Sequence, residues 1–294
     1  MIEEKAGEPG HEPLWHGMDR QTLDRAYDNA GAVPTSRSQL ADWSERSARL
    51  RMQGGHVLDI PYGPRERNRI DIFRCGADFA PLLVFIHGGY WQRNSKEVFA
   101  CMAEGPLASG LDVALVGYTL APEATLGKIL EEVRTAIQVL RREGSQAGFA
   151  RAELIVSGWS AGGHLAASVM DMQEVDAGLA ISGIYDLEPI RLGALNDKLG
   201  LTEEDVIRLS PIRNVPATTS ELVVAYGTGE LPELQRQSRD YLHIWRAAGR
   251  SGDLLPVAGG DHFSILEELS RPGGMLALQT ARLVRRVHAE SQRA

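Results

Sequence analysis

Two alternating stretches, residues 56–60 (His-Val-Leu-Asp-Ile) and 69–73 (Arg-Ile-Asp-Ile-Phe), flank the turn-rich Pro61-Tyr62-Gly63-Pro64. This pattern predicts a β-hairpin with one face toward a core. Beyond it the character changes to short, almost wholly apolar runs at 82–86, 112–116, 153–156, 178–181, 221–225 and 254–257. Continuous apolar strands are covered on both faces, so these six predict a parallel sheet between helical layers. The intervening segments agree. Leu126, Ile129, Leu130, Val133, Ile137 and Leu140 recur at steps of three and four, which puts one apolar stripe against the sheet. Further helices are predicted at 164–172, 199–209, 233–248 and 275–287. Strand and helix alternate to the end, giving one α/β domain over 56–294 with an antiparallel start.

Residues 1–55 differ. They set Trp15, Tyr27 and Trp43 in a polar, helix-prone background. Ser38 is the expected N-cap of a helix there, with Asp42 and Glu45 near its first turn. The expectation is a helical arm packed on the body, and the sharper version has it covering a site. The stretch 187–216 is a second candidate cover.

The strongest chemical signal is Gly158-Trp159-Ser160-Ala161-Gly162. It follows an apolar strand and precedes a helical pattern, the setting of a strained turn that lifts a serine oxygen out of a sheet. Ser160 is the expected nucleophile. A second glycine turn, His87-Gly88-Gly89-Tyr90-Trp91-Gln92, follows the strand at 82–86 and can aim backbone N–H groups at a carbonyl oxygen that gains charge. The partner N–H is expected from Ala161, next to the nucleophile. His87 itself is weighed as a base or metal ligand and set aside, because no second ligand stands at metal spacing.

A serine hydroxyl needs an imidazole to take its proton. His262, in Gly259-Gly260-Asp261-His262-Phe263, follows the last strand run and fits that place. His11, His16, His56, His243 and His288 have no such setting, and His164 reads as a structural histidine. The acid that orients the imidazole is less sharply specified. Glu230 just past the strand at 221–225 is preferred, with Asp186 and Glu233 as alternatives; Asp261, adjacent to His262, is set aside. Trp91 and Trp159 flank the two motifs and are candidates to wall a pocket for an aromatic substrate. Gly227-x-Gly229 lacks the third glycine of a dinucleotide fingerprint, and no phosphate-binding glycine-lysine-serine string exists.

These residues resemble the α/β-hydrolase superfamily and, within it, the arylformamidase (kynurenine formamidase) group and its bacterial esterase-like relatives. The resemblance rests on 87–92, on Tyr118-Thr-Leu-Ala-Pro-Glu123, on 158–164, on Ser182-Gly-Ile-Tyr-Asp-Leu187, on Arg236-Gln-Ser238 and on Asp261-His-Phe263. It implies the α/β-hydrolase fold, with Ser160 as nucleophile, His262 as base and an acid after the penultimate strand, where many relatives carry aspartate rather than glutamate. It also implies oxyanion donors at Gly89, Tyr90 and Ala161. The implied reaction removes a formyl or other small acyl group from an aryl amide such as N-formylkynurenine, with a broader carboxylesterase or amidase as the alternative. A hydrolase-fold binding protein without turnover is the reading from a different class.

Composition narrows the partners. The 294 residues carry 31 Lys plus Arg against 39 Asp plus Glu, a net charge of −8, which argues against the basic footprint of a nucleic-acid surface. No apolar run reaches the length of a membrane span. The start Met-Ile-Glu-Glu-Lys-Ala lacks a secretory pattern, and Cys75 and Cys101 are too few for a disulfide framework, so a cytoplasmic protein is expected. The expected partners are a small aryl amide or ester and, at most, a second copy in a homodimer. Neither metal nor organic cofactor is required.

Overall fold

The hairpin forms as the alternation predicts: β1 (Val57–Pro61) pairs antiparallel with β2 (Arg69–Phe73). The computed structural model describes residues 13–147 and 152–292; His11 and the first six residues lie outside them. The apolar runs become β3 (Leu82–Ile86), β4 (Asp112–Val116), β5 (Leu154–Trp159), β6 (Ala177–Ile181), β7 (Glu221–Gly227) and β8 (Gly252–Val257). They join one eight-stranded sheet in the order β1-β2-β4-β3-β5-β6-β7-β8, and β3 to β8 run parallel.

Alternation within each apolar run explains the two layers. Leu82, Val84 and Ile86 of β3 share one core with Val156, Val224 and the stripe Ile129, Val133 and Ile137 of the Leu126–Ala147 helix. Leu83 and Phe85 face the other way, with Ile155, Leu179 and Val223, onto Phe99 and onto Leu276 and Leu283 of the Met275–Ser291 helix. Each such side chain contributes about 1.5–3 kcal/mol on burial. Register then sets where chemistry can sit. Ile86 lies beside Gly158, Trp159 beside Ile181, and Ile181 beside Ala225, so the C-terminal ends of the central strands finish in step. Loops leaving such ends form one crevice.

Local details depart from expectation in three places. The helix of the N-terminal segment is Ser36–Arg51 with Thr35 at the cap position, because a turn from Val33 O to Ser36 N starts it early. Ser38 lies inside it, donating to Thr35 O at 2.8 Å, and Asp42 and Glu45 fall in later turns. The segment 199–209 is not one helix. Gly200 at φ +62° ends Asn196–Leu199, and a capping box between Thr202 and Asp205 starts Glu203–Leu209. The helix after Ser160 stops at Ser168 rather than Met172.

The Arg20–Ala26, Asn29–Ala32 and Ser36–Arg51 helices lie against the sheet domain. Trp43 is fully buried, 6.1 Å from the Trp159 ring and 6.3 Å from Phe263, with its indole N–H donating to Glu267 Oε1 at 2.5 Å. Trp43→Ala is expected to cost about 3–5 kcal/mol, read as a lower urea midpoint at unchanged slope.

Two histidines are part of the core. His87 stacks on Tyr118 at 4.3 Å, and its Nδ1 pairs with Gly88 O at 2.9 Å. His164 pairs through Nε2 with Leu209 O at 2.9 Å. Burial pulls both down to about 4, so both are neutral at pH 7. The unfolded chain binds these protons near pH 6.5, whereas the folded chain resists until about pH 4. Stability is therefore complete above pH 6.5 and is lost as pH falls through this window, by about 3 kcal/mol per histidine at the acid end. Urea melts at pH 7 and pH 5 check this; equal midpoints would contradict it.

Candidate active site

Ser160 sits where β5 turns into the Ala161–Ser168 helix, with φ 58° and ψ −119°. That left-handed conformation is costly for a serine and aims its side chain away from the sheet. Glycine makes the turn possible. A Cβ at Gly158 would lie 2.2 Å from Gly162 O, and one at Gly162 would lie 2.0 Å from Ile86 O. Ser160 N donates to Ile181 O at 2.8 Å, which ties the turn to the end of β6.

The structure brings Ser160, His262 and Glu230 together although they are far apart in sequence. Ser160 Oγ lies 3.1 Å from His262 Nε2, and His262 Nδ1 lies 3.2 Å from Glu230 Oε2. All three are buried. Glu230 Oε1 accepts from Ser182 Oγ at 2.5 Å and from Gly227 N at 2.7 Å. A carboxylate that only accepts, with Oε1 taken, presents Oε2 to an N–H on Nδ1. Nε2 then carries the lone pair that meets the serine hydroxyl.

The loops holding acid and imidazole are laced to each other. Thr228 N donates to Val257 O at 2.9 Å, Gly229 N to Gly260 O at 2.9 Å, and Gly259 N to Thr228 Oγ1 at 2.9 Å. The backbone O of His262 accepts the Trp159 indole N–H at 2.7 Å, with the two rings 4.9 Å apart.

The other acids are elsewhere. Asp186 Oδ1 accepts from Glu188 N and faces Arg213. Glu233 opens the Pro232–Ala247 helix and accepts from Trp15, Tyr27 and Arg236, which holds its carboxyl below the usual range against the cost of burial. Asp261 Oδ1 takes the N–H groups of Phe263 and Ser264, turning away from the imidazole.

Gly89, Tyr90 and Trp91 form a run of positive φ at 120°, 53° and 59°. Among the described residues no acceptor takes the N–H groups of Gly89, Tyr90 or Ala161. A cavity of about 570 Å³ opens over Gly89, Tyr90, Ser160 and His262. Trp159 and Phe263 line one side; Leu23 and Asn29 from the N-terminal helices, with Ile190 and Leu195, line another. Trp91 does not line it. Its side chain is fully buried beneath the loop, edge-on to His164 at 5.0 Å, so the expectation that it walls the pocket is corrected. Three features escaped the sequence reading: Ser182 as partner of Glu230, the Trp159 N–H to the His262 backbone, and the hydrogen bonds from Tyr27 and Asn29.

Similarity to known proteins identifies the family. The BD-FAE family matches residues 71–228. The kynurenine formamidase of Salmo salar is 30% identical over 87% of this chain and 93% of its own, and that of Danio rerio is 29% identical over the same shares. Esterase LipC of Mycobacterium tuberculosis is 26% identical over 72% of this chain and 61% of its own. Among solved structures, a protein of Silicibacter sp. TM1040 superposes with TM-score 0.80 at 25% identity, over 87% of this chain and 97% of its own. A Pyrobaculum calidifontis esterase shares the fold at TM-score 0.71 and 19% identity, over 92% and 97%. With this sheet, the match over more than half its length and formamidase relatives across most of the rest, the chain belongs to the BD-FAE family of α/β-hydrolases and is an arylformamidase- and esterase-like hydrolase.

Proposed function

We propose that this hydrolase removes a formyl group from an aryl formamide of the N-formylkynurenine type, using Ser160, His262 and Glu230 as its triad. The observation that carries the reading is the unbroken contact from Glu230 through His262 to Ser160 at the floor of the cavity. The kynurenine formamidase relatives, alike across almost their full length, supply the substrate class.

Ser160 Oγ attacks the formyl carbon as its proton passes to His262 Nε2. The carbonyl oxygen becomes an oxyanion held by the N–H groups of Gly89, Tyr90 and Ala161. His262, whose positive charge Glu230 stabilises, gives the proton to the nitrogen of the departing arylamine as the C–N bond breaks. Water, deprotonated by the same imidazole, then attacks the formyl-serine ester; the acyl C–Oγ bond breaks, the imidazolium returns the proton to Ser160 Oγ, and formate leaves. Trp159 is the aromatic wall of the pocket. The N-terminal helices, with residues 189–195 from the 187–216 segment, are its cover. Cys75 and Cys101 are unpaired, which suits a cytoplasmic enzyme. Among the described residues no helix is long and apolar enough to cross a membrane.

Esterase relatives such as LipC favour a second reading, hydrolysis of small esters. The ratio of kcat/KM for N-formylkynurenine to that for p-nitrophenyl acetate and butyrate separates the two. A strong preference for the formamide is expected, and comparable rates on butyrate would move the assignment to a carboxylesterase.

Ser160→Ala is expected to lower kcat by about 10⁴-fold or more with the melting temperature kept. Glu230→Gln is expected to lower it by about 10²–10⁴-fold, since the imidazole loses its orienting carboxylate. A Ser160→Ala protein with wild-type turnover would remove the triad.

A further inference from the structure

The oxyanion loop is held in an unfavourable shape, and part of its restraint comes from the N-terminal segment, outside the sheet domain. Gly89, Tyr90 and Trp91 all have positive φ, and left-handed backbone at two bulky residues persists only where the surroundings impose it. Trp91 is gripped from below, by burial against His164 and by its carbonyl accepting from Ala121 N at 2.8 Å. Tyr90 is gripped from the other side of the cavity. Its hydroxyl donates to Tyr27 O at 2.6 Å and accepts from Asn29 Nδ2 at 2.9 Å. A carbonyl can only accept, so the one phenol proton goes to Tyr27 and the Asn29 amide must present its NH₂. Both residues are buried.

The two gripping groups are themselves anchored. Tyr27 OH donates to Glu233 Oε2 at 3.1 Å and accepts from Gln237 Nε2 at 3.0 Å. Gln237 Oε1 accepts from Tyr185 N and Asp186 N, in the loop that also bears Ser182, the partner of Glu230. Hydrogen bonds joined by short covalent stretches therefore link the loop that supports the triad acid, through Gln237 and Tyr27, to the oxyanion loop.

We infer that Asn29 and the Tyr90 hydroxyl are positioning residues: with the Tyr27 carbonyl they clamp the oxyanion loop so that its N–H groups face the reacting carbonyl. The inference rests on the serine-hydrolase reading above. Neither side-chain group touches the reacting atoms; each acts through the backbone of residues 89 and 90. The clamp serves the transition state more than the substrate, because charge on the carbonyl oxygen is fully developed only there.

Tyr90→Phe removes the hydroxyl on which both bonds of the clamp converge, and Asn29→Ala removes the amide bond alone; neither adds bulk. Both are expected to lower kcat for an aryl formamide about 10–100-fold, less than removal of a whole oxyanion donor costs in the best case, with KM changed less than threefold. The double variant should fall no further than the worse single one. An aryl trifluoromethyl ketone gives a readout that a merely structural role would not move. Ser160 Oγ adds to its carbonyl carbon, the serine proton passes to His262, and the new alkoxide occupies the oxyanion position. Its inhibition constant should weaken in proportion to the loss in kcat/KM across the variants, at unchanged melting temperature. Unchanged kcat and unchanged ketone affinity in both variants would overturn the clamp, as would a rise in KM alone. Ser160→Ala separates the two levels. If it abolishes turnover while Tyr90→Phe and Asn29→Ala are neutral, the clamp fails and the hydrolase reading stands; if it leaves turnover intact, that reading fails first.

Discussion

The close approach of one helix to two strand ends governs this molecule. At Gly158 and Gly162 the backbone of the turn comes so near to itself and to Ile86 that no side-chain carbon fits at either position. That contact lets the chain reverse within one residue, and the residue at the reversal is Ser160. The same contact packs the Ala161–Ser168 helix against β5 and β6, beginning at the residue after Ser160. The strain at Ser160 is sustained because the strands on either side are buried on both faces and cannot yield.

Given that fixed point, parallel register does the rest. β3, β5, β6, β7 and β8 end side by side, so the loops after them deliver the glycine turn, the serine, Ser182, Glu230 and His262 to one place. No long excursion is needed. The acid and the imidazole loops then hold each other through main-chain hydrogen bonds, which makes the Glu230 to His262 distance a property of backbone and not of side-chain rotamers alone. A glutamate suits this arrangement because one oxygen is committed to Ser182 and Gly227, leaving the other for the imidazole.

What was legible in the sequence follows from range. The strands, the main helices, the serine turn and the position of His262 are written in local periodicity or in a short motif. Trp159 was readable too, since Ile155, Ser157 and Trp159 share one strand face and the last of them emerges at the crevice. Trp91 was misread because a left-handed backbone turns its side chain under the loop, and nothing in a run of six letters encodes that reversal. The break at Gly200 was readable in retrospect from Thr202 and Asp205, three apart as a capping box requires. The contacts of Tyr27 and Asn29 were not, because each joins residues more than sixty positions apart and depends on how a segment docks rather than on its own pattern.

That docking has a consequence for synthesis. Trp15 and Tyr27 bond to Glu233, and Trp43 bonds to Glu267, separations of 218, 206 and 224 residues. At a translation rate of about 5–20 residues per second, the amino-terminal segment leaves the ribosome roughly 10–40 s before its partners exist. During that interval the polar groups of these three rings lack their carboxylate partners. The polar, charge-rich background in which they are set keeps such a nascent stretch dispersed until the far end of the polypeptide arrives to receive it.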